Sequence, residues 1–85
     1  MMEIQEIRDA IKKTISQVTG MEAGAISDSA SYEADLGLDS LSILEIAVHV
    51  ESLFKISASD EELAAIRTVE DTVDFVRRRM PAGVA

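Results

Sequence analysis

Asp35-Leu36-Gly37-Leu38-Asp39-Ser40-Leu41 is the stretch on which the reading of this chain turns. It closes an aperiodic segment and opens the most apolar segment of the sequence. Gly37 permits a tight approach or a positive φ. Asp39 and Ser40 are both residue types that cap helices, and a cap contributes roughly 0.5–2 kcal/mol. On its own, a serine at a helix start reads as a cap. Here Asp39 can take that duty and leave the Ser40 hydroxyl pointing outward. A helix N-terminus also favours an attached anion, because free N–H groups and the helix dipole point at it. Asp39 opposes that gain, so electrostatics alone do not choose between the two readings.

Downstream of Ser40, nine of the fourteen residues from Leu41 to Phe54 are apolar, more than one stripe requires. Ile43, Ile46, Ala47, Val50 and Phe54 share one face at helical spacing. Leu41, Leu44 and Val48 share another, flanked by Glu45 and Glu51. Such a helix, expected from Asp39-Ser40 to about Leu53, is either central in a core or offers one face to a partner. Upstream, Gly, Ser, Asp and Ala dominate residues 20–39. Aperiodic segments of that length tend to be functional or disordered. Ile26, Tyr32, Leu36 and Leu38 can pin this one to a core, so an ordered, functional loop is expected.

The remaining segments are helical. Ile4, Ile7, Ile11, Ile15 and Val18 predict a helix over about 3–18, stopped by Gly20. Lys55–Ser59 is a short connection. Asp60–Ile66 predicts one or two turns, with acids in the first turn as the dipole prefers. Thr68-Val69-Glu70-Asp71 fits a helix start. Val69, Val73, Val76 and Met80 continue that helix, Arg77-Arg78-Arg79 suit its C-terminal end, and Pro81 stops it before a frayed tail. No strand pattern, repeat or linker is present. The expected architecture is all-α: a small four-helix bundle of three main helices and one short one, a single domain over residues 1–85, with a long loop between helices one and two.

Composition narrows the function. The chain has 85 residues, 16 acidic and 8 basic side chains, a net charge of −8 and no cysteine. Disulfide scaffolds and cysteine-ligated zinc sites are therefore excluded. A chain this acidic is repelled by nucleic acids and by anionic membranes. No apolar run approaches the roughly 20 residues needed to span a bilayer. Met1-Met2-Glu3-Ile4-Gln5-Glu6 carries no secretory signal, so a soluble protein of a reducing cytoplasm is expected. At this length only about 60–65% of the unfolded surface is buried, leaving little room for a deep, dry enzyme pocket. Catalysis by Ser40 would need a base held by a third group. The only histidine, His49, lies about 13 Å further along the same helix. The acids do not follow a calcium-loop spacing. Neither a catalytic residue nor a metal site is assigned.

Asp35–Leu41, followed by the helix bearing Glu45 and Glu51, resembles the phosphopantetheine attachment site of acyl carrier proteins. The likeness covers essentially the whole chain, including the amphipathic first helix, the long loop, the short acidic third helix and the Thr-Val-Glu-Asp start of the last. It implies that a phosphopantetheinyl transferase uses Mg²⁺ and coenzyme A to attach 4'-phosphopantetheine to Ser40, with Asp39 helping to position metal and substrate. It further implies a carrier, not an enzyme, that holds acyl groups as thioesters on a thiol the chain itself lacks. The inner face of helix two would then line a cleft sheltering the acyl chain. Its outer face (Leu41, Leu44, Glu45, Val48 and Glu51) would dock on acyl-transferring and condensing enzymes, with the carrier acting as a monomer. Ser42, His49, Ser52 and Leu53 depart from the acidic or apolar pattern of primary fatty-acid carriers, favouring a polyketide or other dedicated synthase. Peptidyl carriers usually show a second glycine, and often a histidine, before the serine. The alternative is an unmodified acidic helical module that docks a basic partner protein.

Overall fold

Ile7, Ile11 and Ile15 recur about one turn apart, and the first helix buries all three. It runs Ile4–Thr19 (α1) in a computed structural model that describes residues 3–79. Gly20 ends it in the left-handed region at φ 80°, where a residue without Cβ avoids a steric penalty. A single 3-10 turn follows at Ala23–Ala25. Then come α2 (Ser40–Phe54), α3 (Asp60–Ala65) and α4 (Val69–Arg79). Among the described residues there is no strand, and no helix is long and apolar enough to cross a membrane.

The core lies where α1 packs against both α2 and α4. Ile46, Ala47 and Val50 enter it from α2, and Val69, Val73, Phe75 and Val76 from α4. Each fully buried aliphatic or aromatic side chain contributes roughly 1.5–3 kcal/mol. The short helix α3 buries none of its residues. Reciprocal bonds at its start hold it instead: Glu62 N–H donates to Ser59 Oγ at 3.2 Å, and Ser59 N–H donates to Glu62 Oε1 at 3.1 Å. The same device starts α4, where Asp71 N–H donates to Thr68 Oγ1 at 3.0 Å and Thr68 N–H donates to Asp71 Oδ2 at 3.2 Å.

The long loop is ordered, and its buried anchors are Ile26, Ala30 and Tyr32. Leu36 and Leu38 are half-buried against the same core. Tyr32 N–H donates to Arg67 O at 2.9 Å and Val69 N–H to Ala30 O at 3.0 Å, an isolated antiparallel bridge between Ser31 and Thr68. The Tyr32 hydroxyl meets Thr72 Oγ1 inside the core. Arg8 pairs with Glu70, and Lys12 with Asp28, so α1 is also tied to α4 and to the loop. The Lys12 bond holds the Asp28 carboxyl below its ordinary value.

Expected boundaries shift by about one residue: α1 spans 4–19 rather than 3–18, and α2 ends at Phe54. Ile66, expected to end the short helix, is its cap and is buried. Ile4 stays 39% exposed because it lies at the helix start, beyond the packed turns. Phe75 was absent from the expected face of α4, yet it is buried; that face is wide enough to enclose Thr72 and Phe75 as well as the valines. Met80 and the tail 81–85 lie outside the described residues.

Candidate functional site

The loop delivers Ser40 through a compact set of turns. Asp35 N–H and Leu36 N–H both donate to Ser31 O, at 3.0 and 3.1 Å, and Ser31 N–H donates to the Asp35 carboxylate at 2.7 Å. Gly37 sits at φ 65°. No heavy atom lies within 4 Å of the place a Cβ would occupy there, so this glycine serves backbone conformation and not close approach. Leu38 N–H then donates to Tyr32 O at 2.8 Å. Asp39 follows in extended conformation and caps α2, its Oδ1 accepting from Ser42 N–H at 2.8 Å. That backbone bond, with help from the Ser42 side chain, holds the Asp39 carboxyl below its ordinary value.

Ser40 is the first residue of α2 and is exposed. Its hydroxyl makes no hydrogen bond among the described residues, and the first turn of α2 holds no acid. Capping is therefore done by Asp39, and Ser40 keeps an unbonded hydroxyl at the positive end of a helix.

Beside Ser40 opens a cleft of about 670 Å³, within the ~300–1,000 Å³ usual for small-molecule sites. Ile43, Leu44 and Ala47 of α2 form one wall, and Leu63, Ala64 and Ile66 the opposite one. Ser31, Glu33, Ala34 and Arg67 complete the lining. The outer face of α2 is open: Leu41 is 65%, Leu44 45% and Val48 53% exposed, and Glu45 lies exposed beside them. Leu44 belongs to both surfaces. Glu51 behaves differently from Glu45. It is half-buried, and its carboxylate accepts from Ala58 N–H at 3.1 Å, bracing the connection between α2 and α3. His49 is exposed. Among the described residues no group of three or more His, Cys, Asp or Glu side chains is arranged to hold a metal.

The family model for phosphopantetheine attachment sites matches residues 9–76. The chain belongs to the acyl carrier protein family. The chain is 40% identical over 74 residues to a meromycolate extension acyl carrier protein of Mycobacterium leprae, covering 87% of this chain and 64% of the relative. The chain thus spans somewhat under two thirds of that relative's length. It is 36% identical over 74 residues to an acyl carrier protein of Rhodococcus erythropolis, covering 87% of this chain and 81% of the relative. Among solved structures, the acyl carrier protein from Enterococcus faecalis superposes with TM-score 0.73 at 31% identity, covering 92% of this chain and 99% of that one. An apo doublet acyl carrier protein from prodigiosin biosynthesis gives TM-score 0.80 at 27% identity, covering 95% of this chain and 43% of that one.

Carriers of this family take 4'-phosphopantetheine as a covalent prosthetic group. The residues present fit it: Ser40 offers an exposed hydroxyl with no bond to break, at a helix start, on the wall of an open cleft. The sequence had named Ser40, Asp39 and the α2 face. It had not named Glu33, Arg67 or the α3 wall as cleft residues. No local spacing signals them, because they reach Ser40 only through the packing of the loop and α3.

Proposed function

We propose that Ser40 is the attachment residue and that the chain carries acyl intermediates as thioesters for a polyketide or other dedicated acyl synthase. The observation that carries this reading is the free, exposed Ser40 hydroxyl on the cleft wall while Asp39 supplies the cap. The Ser40 oxygen forms a bond to the β-phosphorus of coenzyme A, the bond to the 3',5'-ADP leaving group breaks, and the hydroxyl proton passes to the transferase. Asp39, kept ionised by its bond to Ser42, helps position the transferase's Mg²⁺ and substrate. Once bound, the arm supplies the thiol that holds an acyl group as a thioester. The apolar walls from Ile43 to Ile66 then shelter the acyl chain.

Leu41, Leu44 and Val48 with Glu45 form the surface for a phosphopantetheinyl transferase and for acyl-transferring and condensing enzymes. Glu51 contributes charge at the rim of that surface. Acidic charge steers docking on basic patches and raises the association rate more than affinity, as a carrier that must let go requires. A monomer in the cytoplasm goes with this reading. The mycobacterial relatives are named for meromycolate extension and the doublet carrier for prodigiosin biosynthesis. Both names belong to a dedicated biosynthesis, and Ser42, Ser52 and Leu53 on α2 support the same for this chain.

Intact-protein mass spectrometry tests the proposal, after incubation with coenzyme A, Mg²⁺ and a broad-specificity phosphopantetheinyl transferase. The wild type is expected to gain one phosphopantetheine mass and Ser40→Ala none, with unchanged helical circular dichroism. A modified Ser40→Ala protein would move the site elsewhere. A folded wild type that gains nothing would leave an unmodified docking module, which the exposed α2 face alone supports.

A further inference from the structure

The cleft beside Ser40 is not uniformly apolar, and its polar groups bear on what it holds. Arg67 and Glu33 line it together with Ile43, Leu63 and Ile66. The Arg67 backbone is clamped at both ends of the residue: its N–H donates to Asp71 Oδ2 at 3.0 Å, and its carbonyl accepts from Tyr32 N–H at 2.9 Å. Its guanidinium makes no ion pair and no hydrogen bond among the described residues, whereas Arg8, Lys12 and Arg79 are each paired with a carboxylate. Glu33 likewise has no cation within ion-pair distance among the described residues. Two lining residues of opposite charge, both exposed, are therefore not bonded to each other.

A saturated chain laid against these two groups strips water from both and returns no hydrogen bond. A carboxylate would gain from Arg67 and lose against Glu33. A neutral group bearing oxygen returns a bond to Arg67 and is not repelled by Glu33, since a guanidinium only donates and a carboxylate only accepts. An oxo oxygen accepts from Arg67, and a hydroxyl can also donate to Glu33. Resting on the reading of Ser40 as the attachment residue, we propose that Arg67 is a specificity-determining residue that makes this cleft select neutral oxo- or hydroxyacyl cargo over saturated chains and over acyl groups ending in a carboxylate.

The test loads the wild type and Arg67→Met from octanoyl, 3-oxooctanoyl and malonyl coenzyme A. Methionine keeps an apolar stem and removes every donor, and the exposure of Arg67 leaves the fold intact, checked by melting. Two signals are read: the Arg67 Nε–H resonance, and the rate of thioester cleavage by hydroxylamine relative to the same acyl pantetheine free in solution. The expected result is an Arg67 shift in the 3-oxooctanoyl form alone. Cleavage of that form is slowed about 5–10-fold more than cleavage of the octanoyl form, as one solvent-exposed hydrogen bond of ordinary net strength provides. Arg67→Met loses that difference. Equal protection of octanoyl and 3-oxooctanoyl groups, or strongest protection of malonyl, overturns the assignment. A loaded chain with no Arg67 response overturns this proposal alone. A chain that accepts no arm overturns the reading of Ser40 and this one with it.

Discussion

Tyr32 shows how much one residue of a long loop can hold in place. Its ring is fully buried, and its hydroxyl bonds Thr72 Oγ1, which in turn donates to Thr68 O at 3.2 Å. Replacing Thr72 by Val keeps the shape and leaves a buried phenol without its partner, at a cost of about 1–3 kcal/mol; urea unfolding measures it. Burial pushes the Tyr32 hydroxyl up to about 12 from an ordinary 10.0, against a smaller lowering by Thr72. A raised value means that the folded state keeps this contribution below pH 10.0 and loses it as pH climbs toward about 12. Tyr32 is the only tyrosine, so the phenolate absorbance reports it alone. It is expected to ionise together with alkaline unfolding. Ionisation near pH 10 in a chain that still shows its helical signal would contradict the burial argument.

Among the elements, α3 depends most on polar bonds, since it buries no side chain while forming one wall of the cleft. Glu62 carries much of that dependence. Its carboxylate accepts from Arg79, and from Ser59 N–H and Oγ. Arg79 first, then the Ser59 N–H, hold the Glu62 carboxyl at about 2 rather than 4.5. A lowered value contributes stability at pH above 4.5 and loses it as pH falls toward about 2. Arg79→Ala is expected to return the Glu62 titration toward the ordinary carboxylate range, read by carbon-detected NMR. Amide exchange in α3 should quicken relative to α1, whose isoleucines hold it independently. An unmoved Glu62 titration would mean that Ser59 alone sets the carboxyl.

At the scale of the whole molecule, a net charge of −8 is confined within a radius of gyration of 11.9 Å. Charges on opposite sides therefore lie further apart than the ~10 Å screening length at 0.1 M salt. Added salt removes that long-range repulsion first. The paired groups around Arg8, Lys12, Asp28 and Glu70 stand at contact distance, and exposed pairs of this kind contribute little to stability. Melting temperature is accordingly expected to rise between 10 and about 500 mM sodium chloride, by about 4–8 °C for each kcal/mol of repulsion removed. A flat or falling response by scanning calorimetry would show that the local pairs outweigh the net charge.

The parts of this protein legible in its sequence are those set within about one helical turn. The isoleucine spacing marks α1, Asp39 marks the start of α2, and Thr68 and Asp71 mark that of α4, whereas for Gly37 the sequence left a tight approach and a positive φ both open and the structure chose the second. Capping bonds and helical periodicity span three or four residues, so a linear reading reaches them, and with them Ser40. Phe75 and the exposed Ile4 escaped that reading because burial depends on which turns face a neighbour, and periodicity alone does not say how wide the covered face is. Only the tertiary structure decided the cleft. Glu33, Leu63 and Arg67 join Ser40 on its walls because the Ser31–Thr68 bridge draws the loop against the link between α3 and α4. Contacts between residues so far apart in the chain come from packing, which no local spacing records.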